Sequence, residues 1–236
     1  MSTPLLVLWD VDHTLIETRG VGSEIYAVAF EEVTGQPLVG MADMAGRTEP
    51  VIFRDTLATH GIPDSPDLYA RFADRQAQGY RDRLAELRER GRALPGAGDA
   101  LRALANQPGV LQSVLTGNTR AAAELKLSAF GLDAYLDMDA AAYGTDSDVR
   151  ADLVAIARQR AAGLAGHTFK PETTVLVGDT PADVTAARDG HARIVAVATG
   201  SYTSQDLANA GAKTVLADLT DASAFRAAIA GCEPPQ

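Results

Sequence analysis

Four short runs of apolar and β-branched residues constrain this chain more than any other feature: LLVLW at 5–9, VLQSVLT at 110–116, TTVLVG at 173–178 and ARIVAVAT at 192–199. Each reads as a buried strand. After each comes a turn-rich segment and then an Ala-rich stretch with helical spacing, as in NTRAAAELKLSAF and TPADVTAARDG. Strands that alternate with helices at this spacing predict an α/β fold, a doubly wound parallel sheet with helices on both faces. Ligands of such sheets bind beyond the carboxyl ends of the strands. Three of the four runs end there in polar residues: WDVDHT, LTGNT and VGDTPAD.

One block breaks the rhythm. Between Thr14 and about Leu94 no strand-like run occurs, only helical patterning such as EIYAVAFEEV, EPVIFRDTLATHG and LYARFADRQAQGYRDRLAELRERG. A whole βαβ unit takes only ~30 residues, so this stretch is more than a crossover needs. It reads as an inserted helical domain over the active edge. The expected division is a core of 1–14 and 95–236, with a helical cap of 15–94. The charged run LAELRERGR fits a solvated helix face with i,i+4 pairs. The end, GCEPPQ, reads as a frayed tail.

The 236 residues suffice for one sizeable core with a smaller insert, and the formal charge is −10. That charge argues against a nucleic-acid backbone binder, because an anionic partner needs local positive charge. The single Cys, Cys232, excludes an internal disulfide and points to a reducing compartment. No apolar run has the length of a membrane span, and the start MSTPLLVLWD lacks the features of a signal peptide. The expectation is a soluble cytoplasmic protein, monomer or homodimer, without membrane or nucleic-acid partners.

The chemistry concentrates at the three polar strand ends. Asp10, Asp12 and Thr14 follow the first run at intervals of two, the period of extended chain. Two carboxylates on one face repel each other unless a cation lies between them. A carboxylate can also attack a phosphoryl group. In Thr116-Gly117-Asn118-Thr119, Gly117 permits close backbone approach, and the helix start that follows favours an anion. Asp179 and Asp183 of GDTPAD bring the acids to four on two strands, a set suited to Mg²⁺ with its preference for oxygen ligands. Each cluster alone also has a plainer reading: a turn aspartate, an Asn118 or Thr119 helix cap, or an acidic helix start with Pro181 in its first turn.

Taken in order, DVDHT, LTGN and GDTPAD resemble motifs one, two and four of the haloacid dehalogenase superfamily, and the helical insert resembles its C1-type cap. The arrangement is similar to the phosphoglycolate phosphatase and β-phosphoglucomutase branch, over nearly the whole chain. The resemblance implies a Rossmann-like core and a Mg²⁺-dependent phosphatase acting on a small phosphorylated metabolite through an aspartyl phosphate. Asp10 is then the nucleophile and Asp12 the general acid and base. The Asp10 carboxylate, the Asp12 carbonyl and Asp179 hold the metal, and Asp183 supports that shell. Thr116, Gly117 and Asn118 bind phosphate, with Thr14 beside them.

Two positions depart from the family pattern. His13 stands where a Gly is usual, as a surface residue or a substrate contact. The lysine of motif three is missing from GTDSDVRADLVAIA, which offers only Arg150, a planar fork rather than a point charge. Lys126, two turns into its helix, is a weaker alternative, and Lys170 lies at the wrong end of a strand. Arg47 of Gly46-Arg47-Thr48 is a cap residue able to grip a substrate anion, or else a surface arginine beside a helix start. His167 reads as loop. The competing functions are a phosphosugar mutase of the same branch, a catalytically silent binding protein and, more distantly, a dehalogenase or a phosphorylated receiver.

Overall fold

All four apolar runs form strands. The computed structural model describes residues 4–232, so 233–236 of the expected tail lie outside the described residues. The chain runs through β1 (Leu5–Trp9), β2 (Ile16–Glu17), α1 (Val21–Thr34), α2 (Glu49–Thr59), α3 (Pro66–Asp82), α4 (Leu84–Arg90), β3 (Arg92–Ala93), α5 (Ala97–Ala105) and β4 (Val110–Val114). It continues through α6 (Arg120–Ala129), α7 (Arg150–Ala165), β5 (Thr174–Gly178), α8 (Pro181–Asp189), β6 (Arg193–Val197), α9 (Ser204–Asn209), β7 (Val215–Leu216) and α10 (Ala222–Gly231).

Five strands form a parallel sheet in the order β4-β1-β5-β6-β7. Alternation along β1 explains why LLVLW is apolar at every position. Val7 and Trp9 face one layer, with Leu101 of α5 and Phe225 of α10, while Leu6 and Leu8 face the other, with Leu153 and Val154 of α7 and Val184 of α8. A strand buried on both faces cannot alternate polar with apolar residues. Trp9 is fully buried and its ring lies 5.3 Å from that of Phe225. Its indole N–H donates to Gln112 Oε1 at 3.2 Å, and the Gln112 amide donates to the Leu101 carbonyl at 2.9 Å. The one polar atom of the indole therefore has a partner. The edge strand β7 was not expected, because two half-buried residues carry no periodic signal.

The insert corrects the reading of 14–94 as free of strands. β2 and β3 pair antiparallel, Ile16 opposite Ala93 and Glu17 opposite Arg92, where the chain leaves and rejoins the sheet. The helical stretch of 68–91 divides into two helices. At Arg83 the backbone leaves the helical region (φ −106°, ψ 19°), and α4 sets off from there. Across the break Tyr80 and Leu87 share one cluster with Val21, Ile25 and, from α6, Ala122 and Ala129. This cluster fastens the insert to α6. The insert has its own aromatic centre, with Phe53 and Phe72 stacked at 4.3 Å and Tyr26 edge-on to Phe72 at 4.7 Å. The charged face of α4 behaves as its sequence predicts: Arg90 reaches Glu86 at 2.6 Å and Glu24 of α1 at 2.7 Å.

Candidate active site

β1 lies between β4 and β5, so the carboxyl ends of three adjacent strands meet. Asp10 is the first residue beyond β1, buried, with its N–H still donating to the Val177 carbonyl at 2.9 Å. The chain then turns. His13 adopts a left-handed conformation, φ 61°, where a glycine is the usual solution and His is better tolerated than most other residues. Its carbonyl accepts a hydrogen bond from the Thr199 hydroxyl at 2.6 Å, and its side chain is exposed at the cavity wall.

Asp10, Asp179 and Asp183 can each present a carboxylate oxygen within 4.8 Å of the others. Arg150, at the start of α7, lies 2.9 Å from Asp10 Oδ1 and 2.7 Å from Asp183 Oδ1. Its Nε donates to the same Asp183 oxygen at 3.0 Å. The other Asp183 oxygen accepts from the Thr180 N–H and hydroxyl, at 3.1 and 2.7 Å, which also caps α8. Burial opposes the charge of Arg150, but Asp183 and Asp10 hold it firmly protonated. Burial pushes Asp10 up to about 7, with the Asp183 and Asp12 charges adding to the shift and Arg150 opposing it. Asp179 is pushed up to about 8, first by burial and then by Asp10 and Asp183. Thr14, expected beside the phosphate, donates a hydrogen bond from its hydroxyl to Asp179 Oδ1 at 2.9 Å. These donors are all hard oxygens, a set whose chemistry fits Mg²⁺.

Asp12 sits in a different field. Lys126 Nζ reaches its two oxygens at 2.9 and 2.8 Å, and the Asn118 amide donates to one of them at 2.7 Å. Burial alone would raise its pKa, but the Lys126 charge and these hydrogen bonds outweigh it and hold Asp12 below the ordinary value. Thr119 caps α6, accepting from the Ala122 N–H at 3.2 Å, which leaves Asn118 free for the site. The Thr116 hydroxyl oxygen accepts from the Asn118 N–H and side-chain amide, at 3.3 and 2.8 Å.

The family pattern calls for one cation here, and two, Arg150 and Lys126, stand in the site. Lys126 is two turns from the strand tip, yet helical side chains lean toward the N-terminus and a lysine stem is long. Its ammonium also lies 5.5 Å from the centre of the Tyr80 ring of the insert. The usable signal was its position eight residues after Asn118, two turns up the helix into which Asn118 leads. Lys170 precedes β5 and is exposed, as is the loop residue His167.

The insert closes over this floor. The Glu49 N–H donates to the Gly117 carbonyl at 2.8 Å, and a Cβ on Gly117 would lie 2.1 Å from the Arg47 carbonyl oxygen. Only glycine allows that approach. A cavity of about 510 Å³ remains, with Asp10, Asp12 and Lys126 on its floor and Glu49, Gln76 and Tyr80 in its roof. Arg47 lines it too, but its guanidinium is held inside the insert by Asp55 and by the Asp43 carbonyl at 3.1 Å. Glu49 and Gln76 were not foreseen, because nothing in a helical pattern distinguishes a residue facing a cavity from one facing the core.

Fold and site define a class, an α/β protein with an acidic centre at the strand carboxyl ends under a helical insert. Residues 7–188 match the model of the haloacid dehalogenase-like hydrolases, and the chain belongs to that family. Similar solved structures include a hydrolase from Pseudomonas syringae, 21% identical, covering 92% of this chain and 95% of its own, with a TM-score of 0.66. A predicted phosphoglycolate phosphatase from Haemophilus somnus is 19% identical over 94% of this chain and 97% of its own, with a TM-score of 0.66. A putative β-phosphoglucomutase from Thermotoga maritima is 18% identical over 92% and 96%, with a TM-score of 0.57. At these identities the likeness is one of fold. No curated protein matches the chain in sequence. Among the described residues, no helix is long and apolar enough to cross a membrane.

Proposed function

We propose that this hydrolase is a Mg²⁺-dependent phosphomonoesterase that acts on a small phosphorylated metabolite through an aspartyl phosphate. The observation that carries the reading is the convergence of Asp10, Asp179 and Asp183 within 4.8 Å, with Arg150 seated on Asp10. Such a floor favours a phosphoryl group and a cation together, and phosphoryl transfer depends chiefly on positioning and charge neutralisation.

An Asp10 carboxylate oxygen attacks phosphorus as the bond to the leaving oxygen breaks, and Asp12 supplies the proton to that oxygen. Water then attacks the phosphorus of the aspartyl phosphate while Asp12 takes its proton, which restores Asp10 and releases inorganic phosphate. Lys126 and Asn118 stabilise the ionised form of Asp12, the form required in this second step. Thr116, Gly117 and Asn118 present the phosphate-binding groups, and Arg150 neutralises the negative charge around Asp10. Asp10, Asp179 and the Asp12 carbonyl would hold Mg²⁺, which supplies further positive charge toward the phosphoryl oxygens. Asp183 orients Arg150 behind them, and Thr14 orients Asp179. The insert, 15–94, acts as a cap that excludes bulk water.

The test is phosphate release from an aryl phosphate and a panel of phosphorylated metabolites, in Mg²⁺ or EDTA, with wild type and Asp10→Asn. Metal-dependent release that the substitution abolishes is expected. Release that survives both EDTA and Asp10→Asn would overturn the reading.

A further inference from the structure

The two peptide groups that flank Asn118 are each held at both ends. In the first, the Gly117 carbonyl accepts from the Glu49 N–H at 2.8 Å, and the Asn118 N–H donates to the Thr116 hydroxyl oxygen at 3.3 Å. In the second, the Asn118 carbonyl accepts from the Gly144 N–H at 2.9 Å, and the Thr119 N–H donates to the Glu49 carboxyl. Glu49, the first residue of α2, thus supplies one bond to each peptide. It belongs to the insert, whereas the loop belongs to the sheet.

The side chain of Glu49 is fixed in turn. The Gln76 amide of α3 donates to its Oε1. Glu49 is 7% exposed and Thr119 is 6% exposed, so water competes little for these bonds. Burial raises the Glu49 carboxyl above the ordinary range, although the Gln76 amide, the Lys126 charge and the Thr119 N–H oppose the shift. The Lys126 ammonium is itself bonded to Asp12 and Asn118. Among the described residues, Glu49 therefore meets an amide and a backbone N–H rather than a bonded cation. Such a group fixes geometry more than it balances charge.

That geometry matters because a loop that receives an anion works best when its donors are oriented beforehand. With both flanking peptides pinned, Asn118 cannot turn away. Its side-chain amide stays on Asp12 at 2.7 Å and on Thr116 at 2.8 Å.

We infer that Glu49 is a positioning residue of the phosphate loop, whose N–H and carboxyl fix the peptides on either side of Asn118 for phosphoryl binding. The identity of the anion rests on the phosphatase reading.

The test compares wild type with Glu49→Gln, which keeps an acceptor for the Thr119 N–H, and Glu49→Leu, which removes it. Calorimetric affinity for inorganic phosphate in Mg²⁺ and hydrogen exchange across 116–120 are measured on each. Glu49→Leu should bind phosphate about 10-fold more weakly, the worth of one hydrogen bond, and exchange faster in the loop. Glu49→Gln should recover most of that loss. A glutamate that only supports the insert would lower the melting temperature of Glu49→Leu and leave phosphate affinity unchanged, a result that overturns the inference. Equal losses in the Gln and Leu variants overturn it as well. If Glu49→Leu does not fold, Glu49→Asp withdraws the acceptor by one methylene, and affinity equal to that of wild type overturns the role. Wild type that binds phosphate but releases none from any ester removes the phosphatase reading, while the affinity ratios still decide the part of Glu49.

Discussion

The floor and the roof of the cavity are both buried and both acidic, yet they are finished differently. On the floor the carboxylates have partners: Asp183 has Arg150 and Thr180, Asp12 has Lys126 and Asn118, and Asp179 has Thr14. In the roof, Glu49 and Gln76 pair with each other, and the Glu49 carboxyl reaches the Thr119 N–H. A network complete within the protein can be rigid before any ligand arrives. The floor is thus suited to a reaction common to many substrates, and the roof to holding the loop beneath it.

The largest effect that could break this contrast lies on the floor. Asp183→Ala leaves Arg150 buried with one partner fewer, and breaking a buried ion pair costs about 3–5 kcal/mol. Urea unfolding should show that loss, and a loss below about 1 kcal/mol would mean that the floor is not a completed network. In the roof, Phe72→Ala opens the aromatic centre of the insert, at about 3 kcal/mol. That melting should begin in the insert, so proteolysis between 15 and 94 should precede loss of the sheet; simultaneous loss would make cap and core one cooperative unit.

A smaller effect sharpens the division of labour at Asp12. Lys126→Met removes the charge that holds this carboxyl down, so kcat/KM should fall by about 10–100-fold and the acidic limb of the pH–rate profile should move upward. A fall without that movement would make Lys126 a packing residue only.

A separate effect is on stability against pH without metal. Asp10 and Asp179 keep their protons in the fold up to about pH 7 and 8, whereas in the unfolded chain both ionise near 3.9. The folded state therefore binds more protons between these values. Its stabilisation is full below about pH 4 and is lost as pH rises through 7 to 8. In EDTA the melting temperature should fall steadily from pH 5 to pH 8, and Mg²⁺ should restore it most at the alkaline end. A flat profile in EDTA would show that the two carboxyls ionise freely in the fold.

Much of the floor was legible because its residues adjoin strand ends. A strand tip is marked by the end of an apolar run, so Asp10, Thr116 and Asp179 could be placed before any coordinates. Lys126 was harder to read, since its role depends on how far a side chain reaches back along α6. Glu49 and Gln76 carry no such mark, because which face of α2 meets which face of α3 is a matter of packing. The paired strands β2 and β3 were missed for another reason, as two residues are too few to show a period.

By itself the sequence determined the parallel sheet, the inserted helices and the acids at the strand ends, since these follow from local periodicity and from the chain order of short motifs. Only the tertiary structure decided which cation serves which acid, that Arg47 is held within the insert, and that Glu49 of α2 and Gln76 of α3 meet in the roof. Those facts depend on distances between residues far apart in the chain, such as Lys126 and Asp12 or Arg150 and Asp10. Electrostatic pairing depends on such distances and on burial, which local pattern does not carry.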